Sequence, residues 1–235
     1  VADHAITLSD FNTNSGEAMA MGEKSPIAIT NPIAAGKLAL AEALINLLPS
    51  GISKLSDIKI SANWMASPDN AQRKTDLFNT VKELTQKVCN PWRIAVPVGK
   101  DSLSMKTIWQ KDKKTNLSPQ SLIISAFTKI KNVKKSITPQ LIDSNELSLV
   151  YLDLSKTKKR LGGSILSEVT QQTNLETPNL ECIDEFPKIY NYLATKINKK
   201  RIFSFHDISD GGLIVSAVEM MLAGGCGLNL DLSKI

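Results

Sequence analysis

The chain has 235 residues, of which 42% are hydrophobic and 22% charged, and its formal net charge is +5 at pH 7. These proportions are close to ordinary globular usage, and the length predicts one large or two small domains. Aromatic residues make up only 5% of the chain and do not interleave with the lysine clusters. We therefore favour a lysine-rich solvated surface over a nucleic-acid interface.

The cysteines and the apolar runs narrow the class of protein further. Cys89, Cys182 and Cys226 lie far apart and form no CxxC motif, which argues against a disulfide framework or a zinc site. No stretch reaches the ~18 consecutive apolar residues of a membrane helix, and no signal peptide is visible. We expect a cytoplasmic protein that binds neither membrane nor nucleic acid. Because the chain begins with Val1 and stops just as a predicted strand begins, we expect it to be a piece of a longer protein.

Apolar spacing and punctuation by Gly and Pro predict the elements of a first unit. Apolar residues at three- and four-residue spacing indicate the helices, and short apolar or alternating runs indicate the strands. In chain order these are a strand at 25–30, a helix at 37–49, a strand at 57–65, a helix at 76–88, and strands at 93–99 and 121–130. The unbroken apolar character of the last two strands indicates that both are buried.

A polar stretch at 131–146 contains Pro139 and indicates a linker. We place an N-terminal domain at 1–135, the linker at 136–146 and a C-terminal domain at 147–235. In chain order the second unit has predicted elements as follows: a strand at 147–154, helices near 164–172 and 184–198, a strand at 202–205 and a helix at 212–223. Strands that alternate with helices predict the α+β or α/β class for both units.

Glu42 and Asn46 lie four residues apart on the predicted helix at 37–49, so their side chains share one face of that helix. The apolar stripe lies elsewhere, and a solvent-exposed polar face is the simpler interpretation. Both side chains also offer the hard oxygen ligands that Mg²⁺ prefers. Asp3 carries no signal by itself.

The stretch VGKDSLSM at 98–105 ends a predicted strand with Gly99, Lys100, Asp101 and Ser102. Backbone amides near a glycine, an ammonium group and a hydroxyl are groups that hold phosphate oxygens. The stretch lacks the spacing of a P-loop. A tight turn with a solvated Lys–Asp pair therefore stays open as the alternative.

The loop HDISDGGL follows a predicted strand and leads into the last helix. Asp210 and the following glycines suit the capping of a helix N-terminus. A cap leaves Asp207 and Ser209 unexplained. Two aspartates at an anion-attracting helix end make sense if Mg²⁺ bridges them to a nucleotide phosphate. We interpret His206 as a hydrogen-bonding residue rather than a catalytic base.

Seven stretches match one known family in the same order along nearly the whole chain. They are GEAMAMGEKSPIAI, KLALAEALINLL, KISANWMASP, PVGKDSLSMKT, SLIISAF, ITPQL and HDISDGGLIVSAVEMMLAGGCG. The chain resembles the large, single-chain form of phosphoribosylformylglycinamidine synthase, in the aminoimidazole ribonucleotide synthetase-like superfamily. KISANWMASP and PVGKDSLSMKT are the most specific of these motifs.

The resemblance implies a reaction and a set of partners. The family enzyme converts formylglycinamide ribonucleotide, ATP and glutamine to formylglycinamidine ribonucleotide, ADP, phosphate and glutamate in de novo purine biosynthesis. Its synthetase core has two homologous halves, each with a barrel-forming N-terminal α/β domain and a C-terminal α/β domain. This chain resembles the second half with a truncated C-terminal domain. The implied partners are the first synthetase half and the glutaminase domain of the same polypeptide.

The resemblance also implies a ligand set, because this half of the family enzyme holds an auxiliary nucleotide, ATP or ADP, with Mg²⁺. The implied Mg²⁺ ligands are Asp3, Glu42, Asn46 and Asp207. The implied nucleotide contacts are Ala2, through its backbone, and Ser209. The implied substrate contacts are Gly99 and Ser102, although Lys100 and Asp101 depart from the pattern of the related small-form enzymes.

No residue stands out as catalytic, and no cysteine has the glycine-flanked setting of a glutaminase nucleophile. We therefore expect that this chain alone does not hydrolyse glutamine. Two alternatives stay open. One is a catalytically silent nucleotide-binding scaffold half, and the other is a different ATP-dependent enzyme of the superfamily, such as a thiamine-phosphate kinase-like or selenophosphate synthetase-like protein.

Overall fold

The computed structural model describes residues 2–111, 113–172 and 174–233. Seven strands and seven α-helices are described in these ranges, together with short 3-10 segments and a π-helical segment at Leu84–Cys89. The strands are β1 (Ala5–Leu8), β2 (Gly16–Gly22), β3 (Lys59–Met65), β4 (Ala95–Ser102), β5 (Lys106–Trp109), β6 (Lys114–Leu117) and β7 (Ser121–Ile130). The helices are α1 (Ser25–Ala28), α2 (Pro32–Leu47), α3 (Ala71–Glu83), α4 (Asn90–Trp92), α5 (Ile165–Val169), α6 (Phe186–Asn198) and α7 (Gly212–Gly224).

Five strands form one mixed sheet in the order β1-β2-β7-β3-β4, and β5 with β6 forms a separate hairpin. All neighbours in the large sheet are antiparallel except β3 and β4, which are parallel. Along β2, β3 and β7, alternate residues are buried, as expected for a sheet with one face covered. The long helix α2 covers that face. The predicted α+β or α/β class is confirmed.

Helix α2 begins where its sequence supplies a cap. The Asn31 side chain accepts a hydrogen bond from the Ala34 amide at 3.0 Å, and Pro32 occupies the first helical turn, where its missing N–H costs nothing. Gly22 lets β2 lie directly against this helix. A Cβ atom at Gly22 would lie 2.1 Å from the Ala39 carbonyl oxygen and 2.5 Å from the Ala43 amide nitrogen. This close approach fixes the position of the α2 face that carries Glu42.

Helix α6 packs on the first unit and shares its core. The Phe186 ring stacks on Trp92, with centroids 4.5 Å apart and planes within 5°. The Trp92 indole donates to the Ile183 carbonyl at 3.0 Å, and the Asn198 amide donates to the Ile52 carbonyl at 2.8 Å. The apolar core is therefore continuous from the sheet to α6.

The predicted helices and most of the strands of the first unit are confirmed, with shifted ends. The strand predicted at 25–30 is wrong, because this segment contains helix α1. Pro26 favours the first turn of a helix, and the Glu23 carboxylate accepts hydrogen bonds from the Ser25 amide and hydroxyl. The buried character predicted for the strand at 93–99 is also wrong, because β4 is largely exposed at the edge of the sheet. In β7 only alternate residues are buried.

The strands predicted at 147–154 and 202–205 are wrong for the described residues. A strand needs a neighbouring strand to satisfy its backbone groups. The segment at 147–153 is exposed, and the segment at 202–205 makes a single backbone hydrogen bond, from the Phe205 amide to the Thr138 carbonyl at 3.1 Å. The three helices predicted in this unit are confirmed as α5, α6 and α7.

One helical stretch, Pro32–Ser50, is long and apolar enough to cross a membrane by length and composition alone. However, 67% of its most apolar window is buried inside the protein. Its apolar residues contact the sheet, which is typical of the central helix of a core. Cys89, Cys182 and Cys226 are free thiols, and the first two are buried.

Candidate functional site

The site combines segments from both ends of the chain. Asp3 precedes β1, Asp207 lies in the loop before α7, and one ring nitrogen of His206 faces both carboxylates. The ligand atoms of these three side chains all lie within 4.8 Å of one another. The structure thus brings together two residues whose distance in sequence gave no indication of contact.

His206 contacts both aspartates, through a hydrogen bond to Asp3 and an ion pair with Asp207. Its Nδ1 lies 3.0 Å from Asp3 Oδ2 and 3.4 Å from Asp207 Oδ1, and its Nε2 lies 3.0 Å from Glu219 Oε2 on α7. The side chains of His206, Asp3 and Asp207 are all nearly buried. Hydrogen bonds to Asp207, Asp3 and Glu219 raise the pKa of His206 to about 10, against the opposing effect of burial. The imidazole is therefore charged at neutral pH and offsets part of the local negative charge.

Glu42 adds a third carboxylate from the adjacent face of α2. Its Oε2 accepts from the Glu23 amide at 2.7 Å, and its Oε1 lies 2.5 Å from Lys24 Nζ. Burial raises the pKa of the Glu42 carboxyl, and the negative charge of Asp207 raises it further, while Lys24 opposes both effects. The effect of the Asp207 charge on the pKa of Glu42 indicates that Glu42 lies near the Asp3–His206–Asp207 group.

Asn46 lies one helical turn beyond Glu42 and presents an unused oxygen. Its Nδ2 donates to the Met21 carbonyl at 3.4 Å. Its Oδ1 is buried and has no hydrogen-bond partner among the residues that the structure describes. A buried amide oxygen without a partner costs about 1–3 kcal/mol. A cation bound at this point would satisfy it.

The loop that carries Asp207 ends in two glycines with left-handed backbone conformations. Gly211, at φ 88°, occupies the N-cap position of α7 without a side-chain cap, and Gly212 has φ 70°. The interpretation of Asp210 as the capping residue is therefore wrong, and Asp210 is exposed. The Ser209 carbonyl accepts from the Gly212 amide at 3.0 Å. Ala2 is exposed beside Asp3.

Gly99 and Ser102 are not part of this cluster. Both lie on the edge strand β4, whereas Asp3 precedes β1 at the opposite edge of the sheet. Four strand spacings of about 4.8 Å separate these edges, roughly 19 Å. The Lys100 ammonium donates to the Ser102 hydroxyl, and a Cβ at Gly99 would meet open space. The β4 residues therefore form a separate, exposed surface.

The sequence analysis did not predict two residues that support the cluster, Glu219 and Lys24. Glu219 accepts from His206, and Lys24 pairs with Glu42. Glu219 did carry a signal, because it is the only charged residue in the apolar helix α7. A single carboxylate among apolar residues indicates a partner elsewhere in the fold.

Sequence comparisons divide the chain into two matched regions. The family described as the FGAR-AT PurM_N-like domain matches residues 1–129. The family described as AIR synthase related protein, C-terminal domain, matches residues 148–235.

Solved structures resemble the chain at low sequence identity. A HypE-HypF complex structure contains a chain that is 10% identical, with a TM-score of 0.53 over 91% of this chain and 65% of that chain. Phosphoribosylformylglycinamidine synthase II from Thermotoga maritima is 18% identical, with a TM-score of 0.44 over 57% of this chain. T. maritima PurL complexed with FGAR is 19% identical, with a TM-score of 0.45 over 59% of this chain. This chain spans 21% of the length of the two T. maritima chains. The fold is that of the aminoimidazole ribonucleotide synthetase-like proteins.

Proposed function

The chain belongs to the FGAR-AT PurM_N-like domain family, and on that premise we propose that it forms part of an ATP-dependent ligase of purine biosynthesis. The proposed ligase converts formylglycinamide ribonucleotide, ATP and glutamine to formylglycinamidine ribonucleotide, ADP, phosphate and glutamate. ATP phosphorylates the amide oxygen of the substrate, and ammonia from glutamine then displaces phosphate. The two matched families along the chain support this proposal. This part of the ligase carries an auxiliary Mg²⁺–nucleotide site.

The observation that carries the auxiliary site is the convergence of Asp3 and Asp207, with their ligand atoms and that of His206 all within 4.8 Å. Glu42 shares the negative field, and Asn46 Oδ1 is the buried oxygen without a partner. All four proposed ligands offer hard oxygen atoms, the donor type that suits Mg²⁺. These residues therefore fit the metal. When bound, Mg²⁺ would neutralise these carboxylates and the phosphates of the nucleotide.

The chain's own residues hold the site in place around that metal. The His206 imidazolium orients Asp3 and Asp207, and Glu219 fixes the opposite ring nitrogen. Lys24 and the Glu23 amide hold the Glu42 carboxylate against α2. We assign nucleotide contacts to the Ala2 backbone and to Ser209, which flank the two aspartates. The N-terminus of the 13-residue helix α7 follows this loop, and its amides favour a phosphate group.

The GKDS segment of β4 is proposed to face formylglycinamide ribonucleotide through Gly99 and Ser102. Its exposure at the sheet edge, with open space at Gly99, leaves it accessible to the first synthetase half. In this proposal the first half and the glutaminase domain belong to the same cytoplasmic polypeptide. The proposed domain limits are 1–135 and 147–235, joined by 136–146.

A reconstitution assay tests the reaction. The full-length protein, supplied with formylglycinamide ribonucleotide, ATP, Mg²⁺ and glutamine, is expected to release formylglycinamidine ribonucleotide and phosphate. ATP turnover with a different acceptor and no such product would favour another superfamily enzyme. Product formation that survives loss of the auxiliary nucleotide would show that this half serves as a scaffold.

A further inference from the structure

We propose that a cavity between α1, the end of β3 and helix α3 binds a small apolar α-amino acid as its zwitterion. The cavity has a volume of about 430 Å³, within the size range of small-molecule sites. It lies apart from the cluster of Asp3, Glu42 and Asp207, and none of those residues lines it. The proposal rests on three polar groups of the lining, which are two opposite charges and one buried oxygen without a hydrogen-bond partner among the described residues.

The first group is the Arg73 guanidinium, which is half-buried. Its Nη1 donates to the Ser118 carbonyl at 2.9 Å and to the Ser67 carbonyl at 3.4 Å. Both of these acceptors are neutral, and Arg73 forms no salt bridge with any residue in the described ranges. The Arg73 charge helps to lower the pKa of the exposed Asp69, but Asp69 forms its salt bridge with Lys106. Arg73 therefore retains donors for a carboxylate.

The second group is the Asp76 carboxylate, three residues further along α3. Its Oδ1 accepts from the Gln72 side chain at 2.8 Å. Although residues three apart on a helix are neighbours, no salt bridge joins Asp76 to Arg73 in the part of the chain described. Arg73 and Asp76, which carry opposite charges, both line the cavity instead.

The third group is the Gln120 amide. Its Oε1 is buried and has no hydrogen-bond partner in the described residues, and Gln120 also lines the cavity. A buried acceptor of this kind requires a donor. An ammonium group supplies up to three donors, enough for Gln120 Oε1 and Asp76 together.

A zwitterion satisfies all three groups at once. Its carboxylate pairs with Arg73 near the N-terminus of α3, where the helix dipole also favours a negative charge. Its ammonium pairs with Asp76 and Gln120. The remaining lining is largely apolar and includes Ile29, Pro32, Ala66 and Leu117, which suits a short aliphatic side chain.

Calorimetric titration of the purified full-length protein with three matched probes tests the proposal. L-valine carries both charges, 3-methylbutanoate lacks the ammonium group, and isobutylamine lacks the carboxylate. We expect L-valine to bind and each single-charge analogue to bind at least tenfold more weakly. No heat with L-valine, or equal binding of either analogue, overturns the proposal.

Variants locate the binding event within the cavity. Asp76→Asn preserves shape and is expected to weaken L-valine binding at least tenfold, as is Gln120→Leu. Asp143→Asn, the same change at an exposed acid outside the cavity, is expected to bind L-valine as the unaltered protein does. A variant of Arg73 is not used as a test of binding, because Arg73 also holds two loops together through the Ser67 and Ser118 carbonyls. Unchanged affinity in Asp76→Asn, with the unaltered melting temperature, contradicts the assignment.

Discussion

Replacing Phe186 by alanine tests the continuous core that joins α6 to the first unit. The ring is 2% exposed and stacks on Trp92 at 4.5 Å. Removing a buried phenyl group costs its transfer free energy plus the cavity that remains, about 3–5 kcal/mol. For a chain of this size that loss corresponds to a melting temperature lower by roughly 6–20 °C.

The assay is urea unfolding followed by tryptophan fluorescence, since Trp92 reports directly on the stack. Tyr192→Ala is the matched control on the same helix, because Tyr192 is 60% exposed. We expect the control to lose less than about 1 kcal/mol, as surface substitutions usually do. A loss below about 1 kcal/mol for Phe186→Ala, or equal losses for the two variants, would refute a core shared through α6.

Three further outcomes follow from packing and burial. Gly22→Ala is expected to destabilise the protein by about 1–3 kcal/mol or more, because the added methyl group meets the backbone of α2. Gly99→Ala, in an open strand position, is the control in the same melting experiment. Equal melting temperatures for the two variants would contradict the close packing at Gly22. Tyr190→Phe is expected to raise the free energy of unfolding by up to about 1–3 kcal/mol, because the buried hydroxyl has no partner among the described residues. A lower urea midpoint for this variant would contradict that reasoning. Burial raises the pKa of the Cys89 thiol to about 11, so its thiolate, the reactive form, is scarce below that pH. At pH 8 a maleimide is therefore expected to label Cys226 well before Cys89 in the folded protein. Mass spectrometry that finds Cys89 labelled first would contradict its burial.

Local patterns in the sequence were sufficient for most helices and for the central strands. Helix α2 follows from its apolar spacing, although it begins five residues before the predicted start at 37, at the Asn31 cap and Pro32. The segment at 25–30 misled because its β-branched residues favour a strand, whereas Pro26 and the Glu23 carboxylate favour a helical turn. The strand predicted at 147–154 could not be judged locally, because a strand depends on a partner that its own sequence does not specify.

The candidate site depends even more on contacts between distant segments, which the local sequence does not specify. The Glu42–Asn46 pair follows from helical spacing, but Asp3 and His206 lie 203 residues apart in sequence. Only the family resemblance suggested that these two ends of the chain meet. The partners Lys24 and Glu219 depend on side-chain directions that spacing alone does not determine.

The retention of bound nucleotide by the purified full-length protein tests the proposed Mg²⁺ site most directly. Bound nucleotide is released by acid and counted against protein for the unaltered chain, for Asp207→Ala and for Asp210→Ala. Asp210 lies in the same loop but is exposed and outside the carboxylate cluster. We expect about one nucleotide per chain in the unaltered protein and in Asp210→Ala, with loss on chelation of Mg²⁺ and a marked loss in Asp207→Ala. Full occupancy in Asp207→Ala would contradict it.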